Sequence, residues 1–527
     1  MAPINPQRKM SRGIRCAYFA AVGLVGVVVI LVVVFSVLPQ FDAMTSQTRE
    51  NAPARVVVVG GGLAGLSAAV EASRHGAWVT IIEKEKNIGG NSAKATSGIN
   101  AVGTSAQKAK GIEDSISVYI QDTLKSGDGL SNEDLVNILA TNSAAAIDFL
   151  ESFGLRLTDV VQLGGHSVPR THRFPPTAEG KPVPVGWTLI STLKKYIEGS
   201  LKDTVNVLTL STFKQLVIKD GRITGIEYID NNGSVQTVEG AVVLTSGGFA
   251  NDHTATSLLE KYVPSLASLP TTNGVWATGD IIKATSGANL SLIHMNKVQV
   301  HPTGFIEPSQ PLAHTKFLAP EAIRGCGAIL LNAEGKRFVN ELGRRDHVTA
   351  KMVEHCKPYK GVEGNPIVAA MLLTQKVIDR FGAPAVGFYR FKGLIEDVGS
   401  VAKVAEKLGI SVDIIRETLH AYRDAAGRGN DAFGKTVFPL TFEDDDHFFL
   451  AYVTPSLHYC MGGLKISTSA QVQQVDAASA KERSLPGLFA AGEVTGGVHG
   501  NNRLGGNSLL ECVVFGRIAG QHAAHYV

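Results

Sequence analysis

A chain of 527 residues with 44% hydrophobic and 18% charged residues has the length for two to four domains and the composition of a folded protein, not of a disordered one. The net charge of +3, with no dense Lys/Arg stripe beyond the first fifteen residues, argues against a nucleic-acid binder. Five scattered cysteines (Cys16, Cys326, Cys356, Cys460 and Cys512) without a C-x-x-C exclude a zinc site, a disulfide scaffold, a heme-attachment motif and an iron–sulfur cluster. They read as buried or idle thiols, and no metal site is expected.

The chain opens with a basic tail, residues 1–16, in which Arg8, Lys9, Arg12 and Arg15 are concentrated. Ala17 to Leu38 carries no charge and is rich in Val, Leu and Ile, long enough to cross a bilayer. The preceding cations predict a cytosolic N-terminus and a signal anchor that sends the rest across the membrane. A cleaved signal or a bipartite mitochondrial presequence is the alternative. Residues 39–54 read as a polar tether.

Residues 56–83, VVVVGGGLAGLSAAVEASRHGAWVTIIE, predict a strand, a tight turn, a helix and a second strand. Gly60, Gly62 and Gly65 form G-x-G-x-x-G, in which the glycines permit the turn, backbone approach to a diphosphate, and close helix–strand packing. Gly61, Leu63 and Ala64 complete the turn and open the helix, whose free N–H groups and dipole favour a diphosphate. Glu83 ends the second strand, where an acid accepts hydrogen bonds from ribose hydroxyls. Gly76 is placed to cap the helix.

Lys84 to Asn100, KEKNIGGNSAKATSGIN, reads as a loop that wraps the cofactor. Helices are expected over Ile112–Lys125 and Asn132–Phe153, the second with Ser131 and Asp134 in capping-box spacing. Leu163 to Pro184 reads as an irregular loop and Thr188–Gly199 as a helix. Val205–Val238 reads as an antiparallel meander turning at Asp220-Gly221 and Asn232-Gly233. A buried strand, Ala241–Thr245, leads to Gly247-Gly248, a second approach to the cofactor. Thr278-Gly279-Asp280 opens another helix, with Asp280 able to cap it or to bind a polar cofactor group. From Gln299 to Leu457, motifs rich in His, Arg and Glu alternate with loops and suggest an inserted domain. The nucleotide-binding texture then resumes with AAGEVTGG, HGNNRLGGNSLLEC and a helix over Leu509–Ala524. The expected domains are therefore 55–298 and 458–527 for the cofactor, with 299–457 inserted between them.

Five polar clusters are candidates for chemistry: His301 in QVHPTG, Glu321 with Arg324 in PEAIRG, Arg345 in GRRDH, His458 in SLHYCMGG, and Arg503 in GNNRLGGN. Two histidines and several arginines beside a redox dinucleotide suggest a small anionic substrate, because guanidinium grips carboxylate through a fixed two-pronged fork. Glycines flanking Arg503 leave backbone N–H groups free beside it. Arg337 and Arg344 read as surface charges or ion pairs.

Those clusters, in that order, together with GGNSAKATSGIN, EAIRGCGAILLNAEGKRFVNE and AAGEVTGGVHGNNRLGGNSL, resemble the soluble fumarate reductase flavoproteins, with the fungal-type members most similar. The resemblance runs from about Arg55 to the C-terminus and places the chain in the FAD-dependent oxidoreductase 2 / succinate dehydrogenase flavoprotein superfamily. It implies an α/β fold with a glutathione-reductase-like, Rossmann-type FAD-binding domain, an inserted α+β capping domain and, here, an N-terminal transmembrane segment. It also implies reduction of fumarate to succinate. By position, His458 and Arg503 would bind one carboxylate and His301 the other. Arg345 would be the proton donor, and Glu321 and Arg324 the relay that reprotonates it. FAD would contact Gly60 to Gly65, Glu83, Lys84, Gly90, Asn91, Ser92, Ser97, Gly98, Ile99, Asn100, Gly247, Gly248, Thr278, Gly279, Asp280, Gly492, Glu493, Asn507, Ser508 and Leu509.

Two departures carry information. The loop that holds the flavin-linking histidine in membrane-bound relatives has none here, so non-covalent FAD is expected. Pro320 stands where several bacterial relatives have a hydroxyl residue. Reduced free flavin or a partner flavoenzyme is the expected electron donor, and the endoplasmic reticulum lumen or the mitochondrion the expected compartment. Another enoate such as urocanate or methacrylate is the alternative substrate. A ketosteroid would want an apolar pocket in place of the two Arg/His clamps.

Overall fold

The four valines of Arg55–Val59 are buried at the centre of a six-stranded sheet. A strand with parallel neighbours on both edges has no wet face and must be apolar throughout. The sheet runs Gln471–Val475, Glu482–Ala490, Ala241–Leu244, Arg55–Val59, Trp78–Ile82, Val205–Leu208. All pairings are parallel except the first, which is antiparallel. The computed structural model describes residues 53–178, 183–476 and 481–526. The basic tail, the expected membrane anchor over 17–38 and nearly all of the expected tether lie outside them. Among the described residues no helix is long and apolar enough to cross a membrane, and no group of His, Cys, Asp or Glu could hold a metal ion.

Helix Leu63–Arg74 follows the glycine-rich turn and packs against the C-terminal helix Asn507–Ala524 and the sheet. Gly65 makes the turn possible: a Cβ there would stand 2.0 Å from the Gly60 carbonyl oxygen. His75 caps the helix, and Gly76 follows in the left-handed region at φ +82°.

Two expectations for this part of the chain need correction. Val205–Leu208 pairs in parallel with Trp78–Ile82, so it belongs to the main sheet. The meander is Thr212–Lys219, Arg222–Ile229 and Val235–Glu239. A half-buried edge strand alternates like a meander strand, and only its distant partner tells them apart. The helix expected over 132–153 is two helices, Glu133–Thr141 and Ser143–Glu151. At the junction Asn142 turns its side-chain amide onto the Ile138 carbonyl, the local competition that makes Asn a poor interior residue. The N-cap is Asn132, whose side chain accepts from the Leu135 N–H, rather than a box built on Ser131 and Asp134.

A second sheet runs Val298–Phe305, Phe448–Cys460, Ile367–Thr374, Ile329–Leu331, antiparallel throughout. Its strands are apolar on both faces, in period-two alternation. Leu330, Ala369, Met371, Leu373, Phe449 and Ala451 share one core with helix Arg345–His355 and Val377. Ile329, Leu331, Ala370, Leu372, Phe448 and Leu450 share the other with helices Val401–Leu408 and Val412–Arg428. This sandwich is the body of residues 299–457. It opens on Val298–Phe305 and closes on Phe448–Cys460, which are neighbours in the sheet.

Candidate active site

These two strands bring the histidines together. The register pairs His301 with Ser456 and Val300 with Leu457, and shifts before Gln299–Tyr459. His458 therefore lies beside His301, with ring centroids 4.9 Å apart. His301 is fully buried; its Nδ1 accepts from the Thr303 N–H at 3.2 Å, and its Nε2 has no protein partner. His458 Nδ1 and Thr272 Oγ1 are 2.7 Å apart, and Asn273 Nδ2 donates to the His458 carbonyl. Burial first, then the charge of Arg345, holds both imidazoles well below their ordinary 6.5, so both are neutral near pH 7.

Arg345 opens helix Arg345–His355 and is buried. Its Nε–H donates to Glu321 Oε2 at 2.8 Å and its Nη1–H to Gln299 Oε1 at 2.8 Å. Glu321 Oε1 accepts from the Gly164 N–H at 2.6 Å. Burial opposes the charge on Glu321, but the charges of Arg345 and Arg324 and these hydrogen bonds outweigh it and hold the carboxyl at about 2. Arg324 is also buried and donates through Nη1 to the Glu341 carbonyl, while its Nε and Nη2 have no protein partner. Pro320 is the N-cap of the short helix that carries both residues.

Arg503 lies on the loop before the C-terminal helix. Its guanidinium stacks 4.2 Å from the Tyr459 ring centroid, and its Nη2–H reaches Gln299 Oε1 at 3.5 Å. Its Nε has no protein partner. Burial and the neighbouring Arg345 charge lower it to about 10. Two desolvated cations and two neutral imidazoles make a setting that a dianion would complete.

A cavity of ≈ 480 Å³ joins this cluster to the glycine-rich turn. Its wall takes in Gly60, Gly61, Gly62, Leu63, Ala64, Glu83 and Lys84 at one side and Arg345, His458 and Arg503 at the other. Gly90, Asn91, Ser92, Ser97, Gly98, Gly247, Gly248, Asp280, Gly492, Glu493, Ser508 and Leu509 also line it. Four buried polar atoms of lining residues, Thr96 Oγ1, Ser246 Oγ, Trp276 Nε1 and Arg503 Nε, lack a protein partner. Such atoms are costly unless a ligand satisfies them, and a dinucleotide stretched from the helix N-terminus to the arginines would do so.

Not every expected residue reaches the cavity. Gly65 sits beneath the turn, and Thr278 and Gly279 stand behind Asp280, where the Thr278 hydroxyl donates to the Asp280 carboxylate. Asn100 supports the wall from outside: its amide donates to the Gly505 carbonyl and to Asn507 Oδ1, both at 2.7 Å. Ile99 and Asn507 are equally behind the wall. Glu83 is on the wall, and its carboxylate already accepts from the Gly61 and Glu85 N–H groups at 2.8 Å. His301, Glu321 and Arg324 are also absent from the wall, and they buttress it. Arg337 and Arg344 are ion-paired as expected, Arg337 with Glu341 and Asp431 and Arg344 with Asp128 and Asp346. Sequence reasoning missed Gln299, although it begins the QVHPTG motif. It missed Thr272, Trp276 and Tyr459 as well, which carry no motif of their own.

The fold and the cavity are those of an FAD-binding flavoprotein, with a largely parallel dinucleotide-binding sheet and an antiparallel sheet whose strands bring polar side chains to one end of the cavity. The family model described as "FAD binding domain" matches residues 55–509, and the chain belongs to that family; FAD is its cofactor. The chain is 39% identical over 477 residues to a fumarate reductase of Schizosaccharomyces pombe, covering 89% of each chain. It is 41% identical over 482 residues to fumarate reductase 1 of Saccharomyces cerevisiae, covering 89% of this chain and 98% of that one. Among solved structures, the open conformation of a flavocytochrome c3 fumarate reductase matches with a TM-score of 0.68 and 31% identity, covering 92% of this chain and 81% of the other.

Proposed function

We infer that the protein is an FAD-dependent fumarate reductase that converts fumarate to succinate. The observation that carries this reading is the convergence of Arg345, Arg503 and His458 on the wall of the dinucleotide cavity, with His301 packed against His458 and Glu321 paired to Arg345. Relatives with that printed activity at 39% and 41% identity support it.

Bound FAD, once reduced, supplies the hydride equivalent. The chain supplies everything else. Arg503 and His458 on the wall hold one carboxylate of the substrate, and His301, packed behind His458 with Nε2 unpartnered, is the next donor in reach of the other, so that the alkene is fixed against the cofactor. Charge developing beside the second carboxylate is stabilised by Arg345 and Arg503, whose positions are preset by Gln299, Glu321 and the Tyr459 ring. Arg345 donates the proton that completes the alkane. A guanidinium is a reluctant acid, but the developing carbanion is far more basic, and the ionised Glu321 carboxylate, 2.8 Å from Nε, returns a proton to Arg345 once it has itself taken one up from the relay behind it. Arg324, buried beside Glu321, is the next member of that relay. The test is anaerobic turnover: the dye-reduced enzyme should be reoxidised by fumarate with succinate formed. Reoxidation by urocanate or methacrylate alone would keep the chemistry and replace the substrate.

We further propose that FAD is held without a covalent link, because residues 84–100 offer no histidine to make one. The uncharged run at 17–38, preceded by four cations, supports a membrane anchor with the catalytic unit on the lumenal or intermembrane side. Reduced free flavin or a partner flavoenzyme would then bring the electrons.

A further inference from the structure

Behind the two arginines, on the side away from the cavity, one carboxylate collects donors from both of the segments that carry them. Asp128 sits in the turn after helix Ile116–Ser126. Arg344, the residue before Arg345, donates to it in the two-pronged manner, Nη1–H to Oδ1 at 2.6 Å and Nη2–H to Oδ2 at 2.7 Å. Asn501, two residues before Arg503, donates through Nδ2–H to Oδ2 at 2.9 Å. Neighbouring bonds reinforce both links. Arg344 also reaches the Lys125 carbonyl at 3.3 Å, the Asn501 N–H donates to the Gly127 carbonyl at 3.0 Å, and Ser126 Oγ donates to the Asn502 carbonyl at 2.8 Å.

The backbone at Asp128 adds an independent observation. Its φ is +51°, and Gly129 follows at +76°. Glycine takes that conformation at less cost than aspartate, which is among the few side chains found there. A carboxylate kept at a strained position points to a use for the carboxylate.

We propose that Asp128 is a positioning residue for the substrate site: it ties the Arg344–Arg345 segment to the Asn501–Arg503 segment and so fixes the guanidinium that donates the proton relative to the guanidinium that holds a carboxylate. This rests on the reading of Arg503 as a carboxylate ligand and of Arg345 as the proton donor. The ion pair is half exposed, so its own contribution to stability is small. Its effect is on geometry, because a displacement of about 1 Å at a clamp is enough to cost up to about 100-fold.

The test uses the FAD-loaded full chain and two readouts. The first is steady-state reduction of fumarate. The second is the dissociation constant of fumarate and of malonate, read from the perturbation of the oxidised flavin spectrum, which needs no turnover. Asp128→Ala and Arg344→Ala should each weaken dicarboxylate binding, raise KM by about tenfold and lower kcat by about tenfold, because both the carboxylate ligand and the proton donor lose their fixed separation. Flavin content and Tm should stay near those of the wild type. The double variant should be no worse than either single one, because both remove one clamp. Asp128→Asn, which suits the positive φ and keeps an acceptor for Asn501, should fall in between. Wild-type dicarboxylate affinity in Asp128→Ala, or losses that multiply in the double variant, would overturn the proposal. A wild-type enzyme that binds malonate but does not reduce fumarate would sink the assigned reaction and leave the clamp standing. Failure to bind either dicarboxylate would sink both.

Discussion

Arg345 and Arg503 share one acceptor: Nη1–H of the first lies 2.8 Å, and Nη2–H of the second 3.5 Å, from Gln299 Oε1. Two buried cations this close repel each other, and Arg503 is lowered to about 10 by burial and by Arg345. The neutral amide between them separates the two without cancelling either charge. Glu321 pairs with Arg345 on its other side and not with Arg503, so positive charge remains for an anion.

Gln299 is accordingly expected to matter although it does no chemistry. Its amide nitrogen, Nε2, also donates to Asn502 Oδ1 and to the Arg503 carbonyl, both at 2.8 Å. Gln299→Leu should lower kcat/KM for fumarate by about 10- to 100-fold while flavin remains bound. Gln299→Glu should weaken fumarate binding further, because the new carboxylate competes for both guanidinium groups. Steady-state kinetics alongside the flavin absorbance reads both effects.

The imidazoles predict a pH dependence of binding. His301 and His458 are held well below 6.5 by burial and then by Arg345. A bound dicarboxylate supplies the opposite charge and raises them. Binding then takes up protons, so affinity should tighten as pH falls through the window between the free and bound values. The slope should not exceed about tenfold per pH unit for each histidine. Titrations at several pH values should show it, and His458→Gln should flatten it.

Glu321 predicts a pH dependence of stability with a defined sign. Its carboxyl lies at about 2 in the fold against an ordinary 4.5. The stabilisation from its ionised form is complete above the unfolded value and is lost as pH falls from there through about 2. Urea midpoints for wild type and Glu321→Gln should therefore differ by a constant amount above pH 5. The difference should shrink steadily in more acid solution.

The sequence made local features readable and distant ones unreadable. The turn at Gly60–Gly65 and its helix are legible because the glycine spacing is itself the local signal, with Gly65 required by the Gly60 carbonyl five residues before it. The paired histidines were legible as residues, but their contact depends on the register of Val298–Phe305 against Phe448–Cys460, set about 150 residues apart. Val205–Leu208 was misplaced for the same reason, since its partner strand is Trp78–Ile82. Asp128 had no signal and Gln299 none beyond its place at the head of QVHPTG, because their importance lies in the two arginine-bearing segments that converge on each. Asn142 was readable in principle: an asparagine that bonds back to Ile138 ends a helix wherever it sits.

Thr272 tests the support of His458. The Thr272 hydroxyl lies 2.7 Å from His458 Nδ1 and fixes the ring's orientation. Thr272→Val keeps the shape and removes the bond, at a net cost of about 1 kcal/mol. KM for fumarate should rise by about fivefold, with a smaller change in kcat. An unchanged KM would show that the ring is held by packing alone.

The most direct test of the account is anaerobic reoxidation of the reduced flavoenzyme by fumarate, compared among wild type, Arg345→Lys and Arg345→Ala with flavin content matched. Proton donation from Arg345, with Glu321 poised to restore it, predicts rapid reoxidation and stoichiometric succinate in wild type, and losses of about 1,000-fold or more in both variants. Dicarboxylate binding should survive in Arg345→Lys. If Arg345→Lys kept much of the wild-type rate, Arg345 would be an orienting cation and the proton would come from elsewhere.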